Sequence, residues 1–206
     1  MSEFLERLKA ERLVAIVRAP EAEDAVRVGR ALADSGIGLI EVTLTTRDAL
    51  SAIETLRSHA PEDVLIGAGT VLTSRQAHDA VEAGAGFLVT PALTEAVEAA
   101  EVPVLAGAYT ATEAYAAMLA GAAAVKLFPA SAGGPAYLKA LRDPFPTIPF
   151  IPVGGVSLDQ VAPYLIAGAV ALGVGGPITG DAVRGGSLDA LAARAKAFLD
   201  AIAEAS

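Results

Sequence analysis

The hexapeptide AAVKLF (123–128) sets one cation in an apolar run, and its reading decides the fold. In an extended segment Ala124, Lys126 and Phe128 share one face, while Val125 and Leu127 share the other. The branched pair suits a surface covered by helices, so the lysine is predicted to point the opposite way, into a core. Burial disfavours an ammonium ion and can lower a lysine pKa by several units, each worth about 1.4 kcal/mol. A lysine placed there either neutralises a buried carboxylate or has a chemical task. The chain's other lysines, Lys9, Lys139 and Lys196, all fall in helical, solvated stretches.

Similar runs recur on both sides: LVAIVR (13–18), GLIEVTL (38–44), VLIGAG (64–69), GFLVT (86–90), VPVLAG (102–107), PFIPVGG (149–155) and AVALGVGG (169–176). With AAVKLF they make eight strand candidates. Between them lie stretches such as AEDAVRVGRALADSG, TRDALSAIETLRSHA and SRQAHDAVEAGA, with apolar residues at helical spacing. Gly36, Gly84, Gly121 and Gly168 stand where helix C-caps are expected. Strands this continuously apolar are the pattern of a parallel sheet covered on both faces. No linker or low-complexity segment interrupts the series. The prediction is one α/β domain over residues 1–206, a (β/α)8 TIM barrel with residues 2–10 as an extra helix across its bottom. A doubly wound open sheet is the rival arrangement.

The 206 residues are 53% hydrophobic, enough for one sizeable core, and carry a net charge of −9. That acidity argues against a nucleic-acid partner. With no cysteine, disulfides and thiolate metal sites are excluded. The opening MSEFLERLKAERL is charged and amphipathic, unlike a secretory signal, and no uncharged apolar stretch reaches membrane-spanning length. A soluble cytoplasmic protein is expected, with no membrane partner.

In a barrel of this kind, functional groups gather at the C-terminal ends of the strands. In GLIEVTL the alternation turns Leu39, Glu41 and Thr43 inward, so Glu41 and Lys126 can occupy one layer. They admit two readings. One is a buried ion pair; the other is a desolvated amine that attacks a carbonyl while a carboxylate moves protons beside it. Strands 7 and 8 end in Gly-Gly tracts, Gly154-Gly155 and Gly175-Gly176, a corner suited to a phosphate or a carboxylate. Arg18 closes the first strand, Thr70 follows the third, Thr90-Pro91 end the fourth and Tyr109-Thr110 follow the fifth. His59 and His78 lie on polar helix faces with no metal or triad spacing, and no metal ligand set is expected.

Taken in order, LVAIVRA, LIEVTLTT, IGAGTVLT, FLVTPALT, VKLFPAS, IPVGGVSLD and GVGGPI resemble the motifs of the 2-keto-3-deoxy-6-phosphogluconate (KDPG) / 4-hydroxy-2-oxoglutarate (KHG) aldolase family along essentially the whole chain. The resemblance implies a class I aldolase on a TIM barrel, working without metal or cofactor on a keto acid. It implies Lys126 as the Schiff-base lysine and Glu41 as the general acid/base. It assigns Thr70, Pro91 and Phe128 to the pyruvyl pocket, glycines 154, 155, 175 and 176 to the phosphate loop, and a homotrimer as the assembly. Three positions depart from the family pattern: Thr45 stands where some members have an arginine, Val153 where many have a threonine, and Pro177 where a serine is common. Arg18 or Arg47 is then expected to bind the carboxylate. Glyoxylate becomes an option beside a phosphorylated aldehyde. A phosphosugar isomerase, or a non-catalytic phosphate-binding barrel with a merely structural Lys126, is the alternative.

Overall fold

The computed structural model describes residues 2–205. Its strands are β1 (Leu13–Val17), β2 (Leu39–Thr43), β3 (Leu65–Gly69), β4 (Phe87–Val89), β5 (Val104–Ala108), β6 (Ala124–Leu127), β7 (Phe150–Pro152) and β8 (Leu172–Val174). Every neighbouring pair in the eight-stranded sheet is parallel, in the order β7-β6-β5-β4-β3-β2-β1-β8. A Val153–Gly173 bridge and a 3.0 Å bond from the Val170 N–H to the Phe150 carbonyl join the two ends. The sheet is thus a barrel whose last seam is its thinnest, not an open sheet.

Around it run α1 (Ser2–Glu11), α2 (Ala22–Asp34), α3 (Ala49–His59), α4 (Ser74–Glu82), the single turn α5 (Ala96–Ala99), α6 (Ala111–Leu119), α7 (Gly134–Arg142), α8 (Val161–Ile166), the short α9 (Gly176–Thr179) and α10 (Leu188–Glu204). The four glycines expected to end helices all have positive φ, from +88° to +95°, where a Cβ would be strained. Among the described residues no helix is long and apolar enough to cross a membrane.

Alternation along the strands divides the apolar residues into two cores. Ile40, Val42, Val125 and Leu127 pack outward against the helices. Leu39, Ala124, Phe87, Leu105 and Ile151 fill the lower barrel interior. Helix α1 plugs that interior from below, with Leu8 fully buried and the Phe4 ring 5.5 Å from that of Phe87. Hydrocarbon thus fills the barrel interior from below, and a cavity remains at its top.

Some strands are shorter than their apolar runs. β7 stops at Pro152 because Gly154 and Gly155 turn into positive φ, +89° and +80°. β8 begins at Leu172, three residues later than its run, after the turn that ends α8. Both shortenings leave the glycine tracts as loops at the mouth.

Candidate active site

β6 turns Lys126 inward, where it is only 6% exposed, and β2 does the same for Glu41, 2% exposed. Both line a cavity of about 170 Å³ at the C-terminal ends of the strands. Arg18, Phe128 and glycines 154, 155, 175 and 176 also line it. Larger grooves, of about 560 and 540 Å³, lie on the outer surface beside α2 and between α7 and α8. They hold no inward-facing strand residue, so the smaller cavity is the better candidate.

The Lys126–Glu41 pair is not a bonded one. Among the described residues every ion pair lies outside the barrel interior and none includes Lys126. Glu41 Oε1 is buried and has no hydrogen-bond partner. Its burial raises the carboxyl pKa above the ordinary value of 4.5, against a partial lowering by the charges of Lys126 and Arg18. The amine feels the carboxylate but is not tied to it. Instead Nζ stands 5.5 Å from the centroid of the Phe128 ring, half-open at the mouth. β3 makes room for the carboxylate: a Cβ on Gly69 would fall 1.8 Å from Glu41 Oε1.

Arg18 points across the rim and donates to Thr45 Oγ1 at 2.5 Å and to Thr70 Oγ1 at 3.4 Å. Thr70, at φ +60°, is not part of the cavity wall and reaches it only through Arg18. Pro91 is also off the wall. Its backbone lies over Gly107, the neighbour of Lys126 in β5, where a Cβ would come 2.2 Å from the Pro91 carbonyl carbon. Thr90 anchors that loop by donating to the Ala92 carbonyl at 2.7 Å. Thr110 caps α6 with Glu113. Arg47 pairs with Glu21 at 3.0 Å on the surface, and of these two arginines it is Arg18 that lines the cavity. His59 and His78 are exposed on α3 and α4, as expected.

The glycine corner is crowded on one side and open on the other. A Cβ on Gly154 would meet the Phe128 ring at 2.8 Å, and one on Gly155 would meet Ser131 at 2.6 Å. A Cβ on Gly176 would meet nothing within 4 Å. Backbone therefore forms this wall, and it can approach a ligand closely. Sequence reasoning gave no role to Thr43, Thr45 or Ser131. The signal for the first two was the hydroxyl at every second residue after Glu41, continuing the inward face of β2 to the rim.

An inward amine, a separate buried carboxyl and a guanidinium around one small cavity can bind a keto acid, condense with its ketone and move a proton. Comparisons with known proteins point the same way. Residues 4–193 match the Aldolase family described as KDPG and KHG aldolase. The 2-dehydro-3-deoxy-phosphogluconate aldolase of Treponema pallidum (strain Nichols) is 41% identical over 170 residues, 80% of either chain. The KHG/KDPG aldolase of Escherichia coli (strain K12) is 36% identical over 184 residues, 86% of this chain and 85% of that one. Among solved structures, KDPG aldolase from Legionella pneumophila, with pyruvate captured at low pH as a covalent carbinolamine intermediate, superposes with a TM-score of 0.81. It is 33% identical, and the match covers 89% of this chain and 92% of that one.

Proposed function

This chain belongs to the KDPG and KHG aldolase family, and we propose that Lys126 is its imine-forming nucleophile and Glu41 its proton shuttle. It is an aldehyde-lyase that cleaves 2-keto-3-deoxy-6-phosphogluconate to pyruvate and glyceraldehyde 3-phosphate, and/or 4-hydroxy-2-oxoglutarate to pyruvate and glyoxylate. One observation carries the assignment of roles: an inward lysine amine on a cavity wall, facing a buried carboxyl that has no bonded partner.

Nζ of neutral Lys126 adds to the C2 ketone, and loss of water gives a protonated imine. Glu41 takes the C4 hydroxyl proton as the C3–C4 bond breaks, and the bonding electrons pass to the iminium nitrogen through C2. The aldehyde departs. The enamine then takes a proton at C3, and water releases pyruvate and the free amine. Burial raises the carboxyl pKa of Glu41, which favours its holding the proton taken from the C4 hydroxyl. Arg18 is placed to bind the C1 carboxylate. The glycine corner, where backbone rather than hydroxyls faces the cavity, would receive the aldehyde end and its phosphate if present. Phe128 screens the amine from bulk water, while Thr70 and Pro91 act from behind the wall, by holding Arg18 and supporting β5.

The reading is tested by following pyruvate release from the phosphorylated and unphosphorylated keto acids in parallel. Turnover of one or both is expected; release from neither would refute it. Gly69→Ala gives a finer check, because its methyl must displace the Glu41 carboxylate. The expected outcome is a folded enzyme with kcat lowered about a hundredfold, the scale of loss from misplacing a group by about 1 Å. The proposal also includes action as a single-domain subunit of a homotrimer in the cytoplasm, for which family membership is the support. Sedimentation equilibrium measures the assembly.

A further inference from the structure

One wall of the cavity is a backbone turn whose own support comes from a distant element. Gly175, Gly176 and Pro177 line the cavity, and α9 runs on from Gly176 to Thr179. The Gly175 carbonyl accepts from the N–H of Ile178 at 2.9 Å, the N–H of Thr179 at 3.0 Å and the Thr179 hydroxyl at 3.3 Å. A planar trans peptide sets the Gly176 N–H opposite that carbonyl, so it points out of the turn. Pro177 has no N–H, and those of Ile178 and Thr179 are bonded to Gly175. That leaves the Gly176 N–H as the donor α9 can present to the cavity.

A single helical turn is marginal by itself, and glycines stand at both ends of this one, Gly175 and Gly180, the latter at φ +54°. Its far end is held by α10. Arg194, half-buried, donates from Nε to the Ile178 carbonyl at 2.7 Å and from Nη2 to the Thr179 carbonyl at 3.1 Å. Carbonyls at a helix end lack intrahelical donors, and the fork supplies them. A Cβ on Gly180 would fall 2.5 Å from Arg194 Nη2, so the glycine lets the guanidinium close on the turn. Arg27 holds the next segment through the Ala182 and Gly186 carbonyls but also pairs with Asp24. Arg194 has no carboxylate partner among the described residues. We propose that Arg194 is a positioning residue: from outside the cavity it fixes α9, so that the Gly175–Gly176 wall meets the anionic end of the departing aldehyde. Glyceraldehyde 3-phosphate and glyoxylate both carry such an end; pyruvate, held at Lys126 and Arg18, does not extend to it. The inference rests on the glycine corner receiving the aldehyde half and deepens that reading, by naming the group that sets the corner.

The test sets the whole substrate against its pyruvyl half. Wild type, Arg194→Met and Arg194→Lys are assayed for cleavage of 2-keto-3-deoxy-6-phosphogluconate and 4-hydroxy-2-oxoglutarate. Each is also titrated with pyruvate under borohydride reduction. Arg194→Met keeps an apolar stem and removes every donor; Arg194→Lys keeps a charged donor without the fork. In Arg194→Met, KM for each keto acid that wild type cleaves should rise about tenfold, as for loss of a hydrogen bond to a charged group. Its kcat should stay within about threefold, since the lost contact is a binding one. The pyruvate concentration for half-maximal trapping should not change, and Arg194→Lys should recover most of the loss in KM. Should Arg194→Met not fold, Arg194→Lys carries the comparison, with KM raised about threefold and pyruvate trapping unchanged. Wild-type KM in the folded variants overturns the proposal, whatever their melting temperature. Equal weakening toward pyruvate and the keto acids also overturns it, because that marks a general loosening of the barrel. Wild type that cleaves neither keto acid would instead remove the aldolase reading, and the positioning role with it.

Discussion

Lys126→Met is expected to lower keto-acid cleavage on the order of 10⁵-fold or more, the scale seen when an enzyme loses its covalent nucleophile. Methionine keeps the length and apolar stem of lysine and tolerates irregular surroundings, so the barrel should fold. The site should still bind the keto acid through Arg18 and the glycine corner, both of which it retains. Binding and chemistry would then separate: the Kd for pyruvate survives within an order of magnitude, and turnover does not. A variant that kept more than a hundredth of wild-type kcat would show that the electrons of the C3–C4 bond go somewhere other than an imine on this residue.

Glu41→Gln separates the second role from the first and has a stability consequence of opposite sign. The amide is isosteric but cannot accept a proton from the C4 hydroxyl, so kcat should fall by roughly two to four orders of magnitude. Imine formation with pyruvate should persist. Unchanged turnover would remove Glu41 from the proton path. For stability, the folded-state pKa of Glu41 lies above 4.5, raised by burial despite Lys126 and Arg18. Between the ordinary value and the raised one, the folded protein binds more protons than the unfolded chain. The group's stabilising contribution is therefore complete below pH 4.5 and is lost as pH rises through the raised value. Glutamine has no charge to desolvate. Glu41→Gln should melt at a higher temperature than wild type near pH 8, and the gain should shrink as the pH is lowered toward 4.5. A variant less stable than wild type at pH 8 would mean that attraction to Lys126 and Arg18, not desolvation, dominates the energetics of this carboxyl.

Much of the architecture was legible because the apolar runs are nearly continuous and the glycines after the helices fall where a left-handed residue is required. The face carrying Lys126 followed from Val125 and Leu127 alone, and the face carrying Glu41 from Ile40 and Val42. Strand ends were less legible. An apolar run does not mark where its backbone stops pairing, and β7 ends at Pro152 through the φ of glycines that a hydropathy pattern treats as neutral. The seal at the bottom depended on a contact between residues 83 positions apart, Phe4 and Phe87, which local patterns do not encode.

The site was legible wherever a residue stands on a strand, since alternation gives its direction. It was less so in loops. Thr70 and Pro91 follow strand ends, yet neither lines the cavity: Thr70 accepts from Arg18, and the Pro91 backbone lies over Gly107. Arg18 and Arg47 looked equivalent as sources of a cation until the surface partner of Arg47, Glu21, was seen. Thr45 stood out in the sequence as the place of a missing arginine. In the structure it is an acceptor for Arg18, a contact across 27 positions that depends on β1 and β2 lying side by side.

The central claim is a covalent bond between one nitrogen and a ketone carbon. Wild-type protein incubated with pyruvate, reduced with borohydride, digested and mapped by mass spectrometry tests it directly. A reduced pyruvyl adduct on the peptide containing Lys126, absent without pyruvate and absent in Lys126→Met, is the predicted result. No adduct, or one carried instead by Lys9, Lys139 or Lys196, would contradict it.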